Sequence, residues 1–148
     1  MMSKILITGA TGFIGSWLVK HFMDKNYQII AHGSSKESIN KLKIKLQKSN
    51  IKFKNIEFWE QDFLKEIWNF PMLSEKDAII HCAGATKIRE GNFENYDRYF
   101  ILNILATKKL AKKALEVNIS HFIHLSTGQV FGGSLLLFLS QKIHLKIP

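Results

Sequence analysis

The chain has 148 residues, 46% of them hydrophobic and 22% charged, which is typical of one soluble globular domain. Its single cysteine, Cys82, excludes an internal disulfide bond and a cysteine-based metal site, so we expect a cytoplasmic protein that binds no metal. The formal net charge is +9, with lysines crowded in two stretches. Because no nucleic-acid-binding motif accompanies these lysines, we expect solvated lysine faces and no nucleic-acid partner. No apolar run is long enough to span a bilayer, so we expect no membrane partner.

The predicted elements alternate between short apolar strands and amphipathic helices, which is typical of an α/β fold with a doubly wound parallel sheet of about five strands. The expected strands cover residues 4–8, 28–32, 55–59, 77–82 and 121–126. The expected helices cover about 13–25, 37–48 and 95–116, with a short helical turn around 63–68. In the last helix, the apolar spacing predicts a buried stripe of Phe100, Ile104, Ala111 and Leu115.

A glycine-rich segment, Thr8-Gly9-Ala10-Thr11-Gly12-Phe13-Ile14-Gly15, directly follows the first strand and opens the first helix. Gly9 permits a tight turn, Gly12 lets a pyrophosphate approach the backbone, and Gly15 lets the helix pack close to the strand. The phosphates would sit at the helix N-terminus, where free N–H groups and the helix dipole favour negative charge. A turn without a ligand is the alternative, but the strand–turn–helix context favours a dinucleotide site. Its candidate residues are Gly9, Thr11, Gly12, Phe13, Ile14 and Gly15.

The Gly-x-x-Gly-x-x-Gly spacing resembles that of the extended short-chain dehydrogenases/reductases, the NAD(P)-dependent epimerase/dehydratase group that acts largely on nucleotide sugars. This resemblance implies a Rossmann-type sheet. Four later segments match the family in order, namely Gln61-Asp62-Phe63, residues 81–86 (His-Cys-Ala-Gly-Ala-Thr), Asn103-Ile104-Leu105-Ala106-Thr107 and residues 122–132.

The resemblance also implies roles for individual residues. Asp62 and Phe63 would contact the adenine, and the backbone of Ala83, Gly84 and Ala85 would lie along the cofactor. Asn103 would serve as the asparagine of the family's helix motif. The alternatives are that Asp62 is a solvated loop acid or a helix cap, and that Asn103 bridges a helix and a loop. We expect His81 to be a hydrogen-bonded core residue and not a catalyst.

The region after the second strand bears on the choice of nicotinamide cofactor. NAD-binding sites usually place a carboxylate there to bind the ribose 2′-hydroxyl, but Ser34, Ser35 and Lys36 follow this strand. Hydroxyls and a lysine suit a 2′-phosphate better, so we expect NADP rather than NAD. The alternative is that Ser34 or Ser35 caps the next helix.

The catalytic residues of the family are only partly present. The resemblance implies that Thr127, with Ser126 as its neighbour, polarises the substrate. A Tyr-x-x-x-Lys pair supplies the family's acid–base function, because the lysine lowers the phenol pKa. Four residues after each tyrosine stands another residue type, Ala31 after Tyr27, Phe100 after Tyr96 and Asn103 after Tyr99. We therefore expect dinucleotide binding without full turnover.

The dehydratases of the family carry Asp-Glu after the threonine, where this chain has Gly128 and Gln129, so we expect an epimerase or reductase type. We assign residues 1–133 to a truncated NAD(P)-binding Rossmann domain without the C-terminal substrate lobe, and residues 134–148 to an irregular tail. A nucleotide sugar would bind if such a lobe were supplied. The sequence leaves open whether the chain forms a homodimer. The alternative function is a non-enzymatic NAD(P)-binding sensor or regulatory module.

Overall fold

A computed structural model describes residues 3–49, 54–85 and 96–126 of the chain. Five strands form one sheet: β1 (Lys4–Thr8), β2 (Gln28–Gly33), β3 (Ile56–Glu60), β4 (Ala78–His81) and β5 (His121–His124). The described pairings are all parallel, and the strand order is β3-β2-β1-β4-β5. This is the order of a Rossmann-type sheet, in which the direction of winding reverses between β1 and β4. The predicted fold class is confirmed.

The helices cover both faces of the sheet. They are α1 (Phe13–Asp24), α2 (Lys36–Gln47), α3 (Tyr96–Phe100), a π-helical turn (Ile101–Leu105) and α4 (Ala106–Glu116). Neighbouring strand residues point to opposite faces, so Ile5 and Ile7 pack in the core beneath α1 and α2 while Leu6 packs beneath α4. No helix in the described ranges is both long and apolar enough to cross a membrane.

The predicted helical turn around 63–68 is wrong. The chain makes a single turn after β3, closed by a hydrogen bond of 3.1 Å from the Lys65 N–H to the Asp62 carbonyl, and then continues without regular structure. The aromatic rings of this stretch account for the difference, because Phe63 and Trp68 are buried in the core against Trp59. The turn and the irregular chain that follows it place both rings inside the core.

The predicted buried stripe of the last helix is also wrong. Ala106, Leu110 and Ala114 face the sheet, whereas Phe100, Ile104 and Leu115 are exposed. The prediction is therefore displaced by about one residue along α4, which is about 100° around the helix axis. Apolar residues lie on both sides of this helix, and the small alanines are the ones that permit close packing on the strands.

Two helices end at an asparagine in the left-handed conformation, Asn26 after α1 (φ 63°) and Asn118 after α4 (φ 56°). In the second case, the Asn118 N–H donates to the Leu115 carbonyl at 3.1 Å and the Ile119 N–H donates to the Ala114 carbonyl at 2.9 Å. This pair of bonds is a Schellman motif, which satisfies carbonyl groups at the end of the helix.

Candidate cofactor-binding cleft

A cleft of about 710 Å³, including its part open to solvent, lies at the carboxyl ends of the strands. Its walls come from the segments that follow β1, β2, β3 and β4, so it spans the point where the winding of the sheet reverses. Doubly wound sheets bind ligands at this point. The cleft brings together eight residues predicted from the sequence, namely Gly9, Thr11, Gly12, Ser34, Asp62, Phe63, Ala83 and Gly84.

The three glycines of the turn have different structural roles. Gly9 has a φ of +66°, and a Cβ added there would lie 2.7 Å from the backbone nitrogen of Ala83. A Cβ on Gly15 would overlap the backbone of Gly9 and would lie 2.8 Å from the Cα of Ala10. At Gly12, the nearest atom would be the Gly9 carbonyl oxygen at 3.2 Å, a much milder contact. Gly9 and Gly15 are therefore required by the fold, while Gly12 keeps the cleft open.

Among the described residues, no side chain caps the N-terminus of α1. Gly12 occupies the N-cap position without a side-chain hydrogen bond, and the first turn contains no acidic residue. The described residues offer no acceptor to the backbone N–H groups of Thr11, Phe13 and Ile14. The side chains of Phe13 and Ile14 are exposed, so they would contribute through the backbone. Unpaired N–H groups at a helix start form an anion-binding site.

His32, at the end of β2, forms a hydrogen bond with the glycine-rich turn. Its Nδ1 accepts a hydrogen bond from the Gly9 N–H at 3.1 Å, which leaves Nε2 to donate to the Gln61 carbonyl at 2.8 Å. The imidazole stacks on Phe63 at 4.1 Å between ring centroids, and Phe63 stacks on Trp68 at 4.2 Å. Burial lowers the pKa of His32 to about 4, against the opposing effect of the bond to Gln61. The ring is therefore neutral near pH 7, as an acceptor for Gly9 must be.

His81, at the end of β4, occupies a buried hydrogen-bond network. The Thr107 hydroxyl donates to the Asn103 carbonyl at 2.9 Å, so its oxygen accepts from His81 Nε2 at 2.9 Å. Nδ1 of the ring then accepts from the Thr8 hydroxyl at 2.6 Å, whose oxygen accepts the Ala83 N–H at 3.3 Å. Burial, with smaller effects of neighbouring histidines, lowers the pKa of His81 to about 4. The prediction of a hydrogen-bonded core histidine is confirmed.

Asn103 lies in the π-helical turn and clamps the segment that follows β4. Its Oδ1 accepts the Ala85 N–H at 2.8 Å, and its Nδ2 donates to the Ala85 carbonyl at 3.1 Å. The side chain therefore bridges a helix and a loop, which was one of the two roles considered for it. The clamp fixes the course of Ala83 and Gly84 along the cleft, and π-helical turns are frequent at functional sites.

The candidate residues for the adenosine end occupy different surroundings. Asp62 lines the cleft, and its Oδ1 accepts the Leu64 N–H at 3.0 Å. Ser34 also lines the cleft, whereas Ser35 caps α2, its hydroxyl oxygen accepting the Ser38 N–H at 3.2 Å. Lys36 is the exposed first residue of α2 and does not line the cleft. Of the three residues considered for a 2′-phosphate, only Ser34 faces the proposed site.

The candidate catalytic residue Thr127 lies outside the described residues, as does the predicted tail at 134–148. Its neighbour Ser126 is described, follows β5 and is exposed. Within the described ranges, no group of three or more histidine, cysteine, aspartate or glutamate side chains is placed to hold a metal ion.

The cleft also contains residues that the sequence reasoning missed. They are His32, Gly33, Leu64, Cys82, Arg98 and Leu102. The strand end at His32 lacks the carboxylate that marks NAD sites in a sequence, and an imidazole there matches no such pattern. Burial raises the pKa of the Cys82 thiol, in keeping with the small apolar role expected for this residue. Arg98 lies four residues before Leu102, so both lie on one helix face, but neither belongs to a recognised motif.

The parallel sheet and the glycine-rich turn at its switch point define a Rossmann-fold domain. A sequence model of the NAD dependent epimerase/dehydratase family matches residues 5–139. The chain belongs to this family.

Among characterised relatives, dTDP-D-glucose 4,6-dehydratase from Dictyostelium discoideum is 30% identical over 139 residues, which cover 91% of this chain and 31% of that protein. UDP-glucose 4-epimerase from Caenorhabditis elegans is 25% identical over 139 residues, covering 86% of this chain and 39% of the epimerase. The chain thus spans well under half the length of these relatives.

Solved structures agree with the fold. UDP-glucuronic acid 4-epimerase from Bacillus cereus, in complex with NAD and a UDP-sugar analogue, superposes with a TM-score of 0.71 at 25% identity, covering 98% of this chain and 46% of the epimerase. ElxO with NADP bound has a TM-score of 0.67 at 19% identity, covering 90% of this chain and 58% of ElxO, and shows likeness of fold alone.

Proposed function

We propose that this chain is the NAD(P)-binding portion of an enzyme that acts on a nucleotide sugar or a related alcohol or ketone. The observation that carries the proposal is the start of α1 beside the cleft, where the described residues offer no acceptor to the N–H groups of Thr11, Phe13 and Ile14. A pyrophosphate would satisfy these groups, and the helix dipole would favour its charge.

The family and its members support the proposed substrate class. The relatives include a dTDP-D-glucose 4,6-dehydratase and UDP-glucose 4-epimerases, so both reaction types occur among similar proteins. Gly128 and Gln129 stand where the dehydratases carry an acidic pair, which favours an epimerase or reductase.

For the cofactor, we favour NADP over NAD. Ser34 lines the cleft after β2, and no acidic residue of β2 or of the segment following it lines the cleft to bind a ribose 2′-hydroxyl. Among solved structures of similar fold, the Bacillus cereus epimerase holds NAD and ElxO holds NADP.

A titration tests dinucleotide binding directly. Trp68 stacks on Phe63 of the cleft wall, so its fluorescence should be quenched when NADPH or NADH binds. We expect saturable binding of both dinucleotides, with NADPH the tighter ligand. A Gly12→Asp variant should weaken both at least tenfold, because a carboxylate would occupy the phosphate position. Ser49→Ala, beyond the end of α2, is the matched control and should bind normally. Failure of the unaltered chain to bind either dinucleotide would refute the proposal.

We further propose that the chain alone has no full turnover, because no tyrosine in it is followed by a lysine four residues later. Incubation with UDP-glucose and either dinucleotide should leave the sugar unchanged, as measured by NMR, and product formation would contradict this part.

A non-enzymatic sensor or regulatory module is the second candidate function. The two candidate functions differ in one expected result. A sensor or regulatory module would stay inactive when a C-terminal lobe with the Tyr-x-x-x-Lys pair is supplied, whereas the cofactor-binding portion of an enzyme would become active.

A further inference from the structure

One cationic side chain, Arg98, lines the cleft within the described residues. Arg98 lies in α3 and is exposed, and the described part of the chain offers its guanidinium no ion pair and no hydrogen bond. The other charged group that lines the cleft is Asp62, while the nearby His32 is neutral near pH 7. A cation beside the proposed dinucleotide site can contact the base, the ribose or the phosphates of the ligand.

The neighbours of Arg98 locate it along the cleft. Leu102 lies one helical turn further on and lines the same wall. Ile101 and Leu105, before and after Leu102 in the same π-helical turn, line a second groove together with Phe63 and Leu64, which follow β3. The helical wall that carries Arg98 therefore lies beside the segment after β3, and the leucines give this end of the cleft an apolar character.

The phosphate-binding groups belong to other elements of the cleft than Arg98 does. The unpaired N–H groups that would hold the pyrophosphate belong to the turn after β1 and the start of α1. A flat, largely apolar ring fits the end formed by Leu64 and Leu102 better than a phosphate does. The guanidinium is planar, weakly hydrated and able to stack on an aromatic ring.

We propose that Arg98 is a further cofactor-binding residue whose guanidinium stacks on the adenine ring of the dinucleotide, with Leu64 and Leu102 beside it. The inference rests on the proposed function, because it assigns one more contact to the same cleft. Stacking on the base is independent of the 2′-phosphate, so Arg98 contributes equally to the binding of NAD and of NADP.

The test compares Arg98→Ala and Arg98→Lys with the unaltered chain by calorimetric titration of NAD, NADP, AMP and ribose 5-phosphate. Lys108→Ala is the matched control, because it removes the same charge from an exposed position on α4 that does not line the cleft. Arg98→Ala should weaken NAD, NADP and AMP by a similar factor of about three to ten. Ribose 5-phosphate has no base, so its affinity should be the same for the unaltered chain and for Arg98→Ala. Arg98→Lys keeps the charge without the planar group and should lose most of the same affinity.

The outcomes separate the inference from the proposed function. If the unaltered chain binds neither NAD nor NADP, both fail together. If it binds them and Arg98→Ala binds them equally well, the inference alone is overturned. A loss confined to NADP would identify a 2′-phosphate contact and would also overturn the stacking role. Because Arg98 is exposed, both variants should keep the unfolding temperature of the unaltered chain, which a thermal scan verifies.

Discussion

His32 and His81 approach the glycine-rich turn from two sides, and each uses a ring nitrogen as an acceptor. His32 accepts from the Gly9 N–H, and His81 accepts from the Thr8 hydroxyl in the preceding residue. Both rings must be neutral for this arrangement, and burial holds both pKa values at about 4. Protonation would place a donor against a donor at the point where the cofactor is expected to bind.

The stability of the chain should therefore fall in mild acid. Both folded-state pKa values lie below the ordinary value of 6.5, so the unfolded state binds more protons between about pH 6.5 and pH 4. The free energy of unfolding should decrease through this window, by up to about 1.4 kcal/mol per pH unit for each histidine. Urea denaturation at pH 7.5 and pH 5 measures the change.

Variants of single histidines show which ring causes the loss of stability in acid. His32→Gln can still accept from Gly9 and should show a shallower loss of stability between the two pH values. His21→Gln, at an exposed position on α1, should keep the full loss. Equal pH dependence in all three proteins would contradict a role for the buried ring.

At the scale of the elements, local residue types determine where a helix ends more clearly than they determine which of its faces is buried. Asn118 ends α4 with a positive φ and a Schellman motif, which the residue type permits because asparagine tolerates the left-handed region. The π-helical turn that directly precedes α4 carries Asn103, which clamps Ala85 beside the cleft.

Substitution at position 118 should follow backbone preference. Asn118→Val should lower the free energy of unfolding by about 1–2 kcal/mol, since a β-branched residue is strained at positive φ. Asn118→Gly removes the same side chain without this strain and should change stability by only a few tenths of a kcal/mol. Chemical denaturation of both variants compares them. A glycine variant as unstable as the valine variant would show that the side chain, and not the backbone, is what matters.

At the scale of the whole molecule, the two outer strands of the sheet differ in charge. β3 carries Glu57 and Glu60, which discourage pairing with another chain. β5 reads His-Phe-Ile-His, has no formal charge when its histidines are neutral, and exposes 51% of Ile123. Among the described strands, β5 pairs only with β4, and its side chains carry less charge than those of β3.

We expect β5 to promote self-association at high protein concentration. Ile123→Lys should shift the sedimentation profile towards the monomer, because an edge lysine opposes strand pairing. Ile44→Lys is the matched control, since Ile44 is similarly exposed at 53% but lies on α2. Equal self-association of both variants would place the contact elsewhere.

The sequence predicted those features that depend on short-range spacing. A Cβ at Gly9 or Gly15 would clash with backbone atoms, as their spacing predicts, while the role of Gly12 beside a pyrophosphate stays a prediction. The five strands lie within one or two residues of their predicted ends. The buried face of α4 was missed because apolar residues lie all around that helix. Arg98 was missed for another reason: it joins the cleft through the packing of its helix beside the segment after β3, which no local pattern encodes.

The start of α1 has a consequence for the amount of folded protein. A bound anion would accept hydrogen bonds from the first N–H groups of this helix. Because such a ligand binds the folded chain, it raises the free energy of unfolding by RT ln(1 + [L]/Kd). A dinucleotide present at a hundred times its Kd would contribute about 2.7 kcal/mol. Resistance to proteolysis, and with it the lifetime of the chain, should then rise and fall with the concentration of the cofactor.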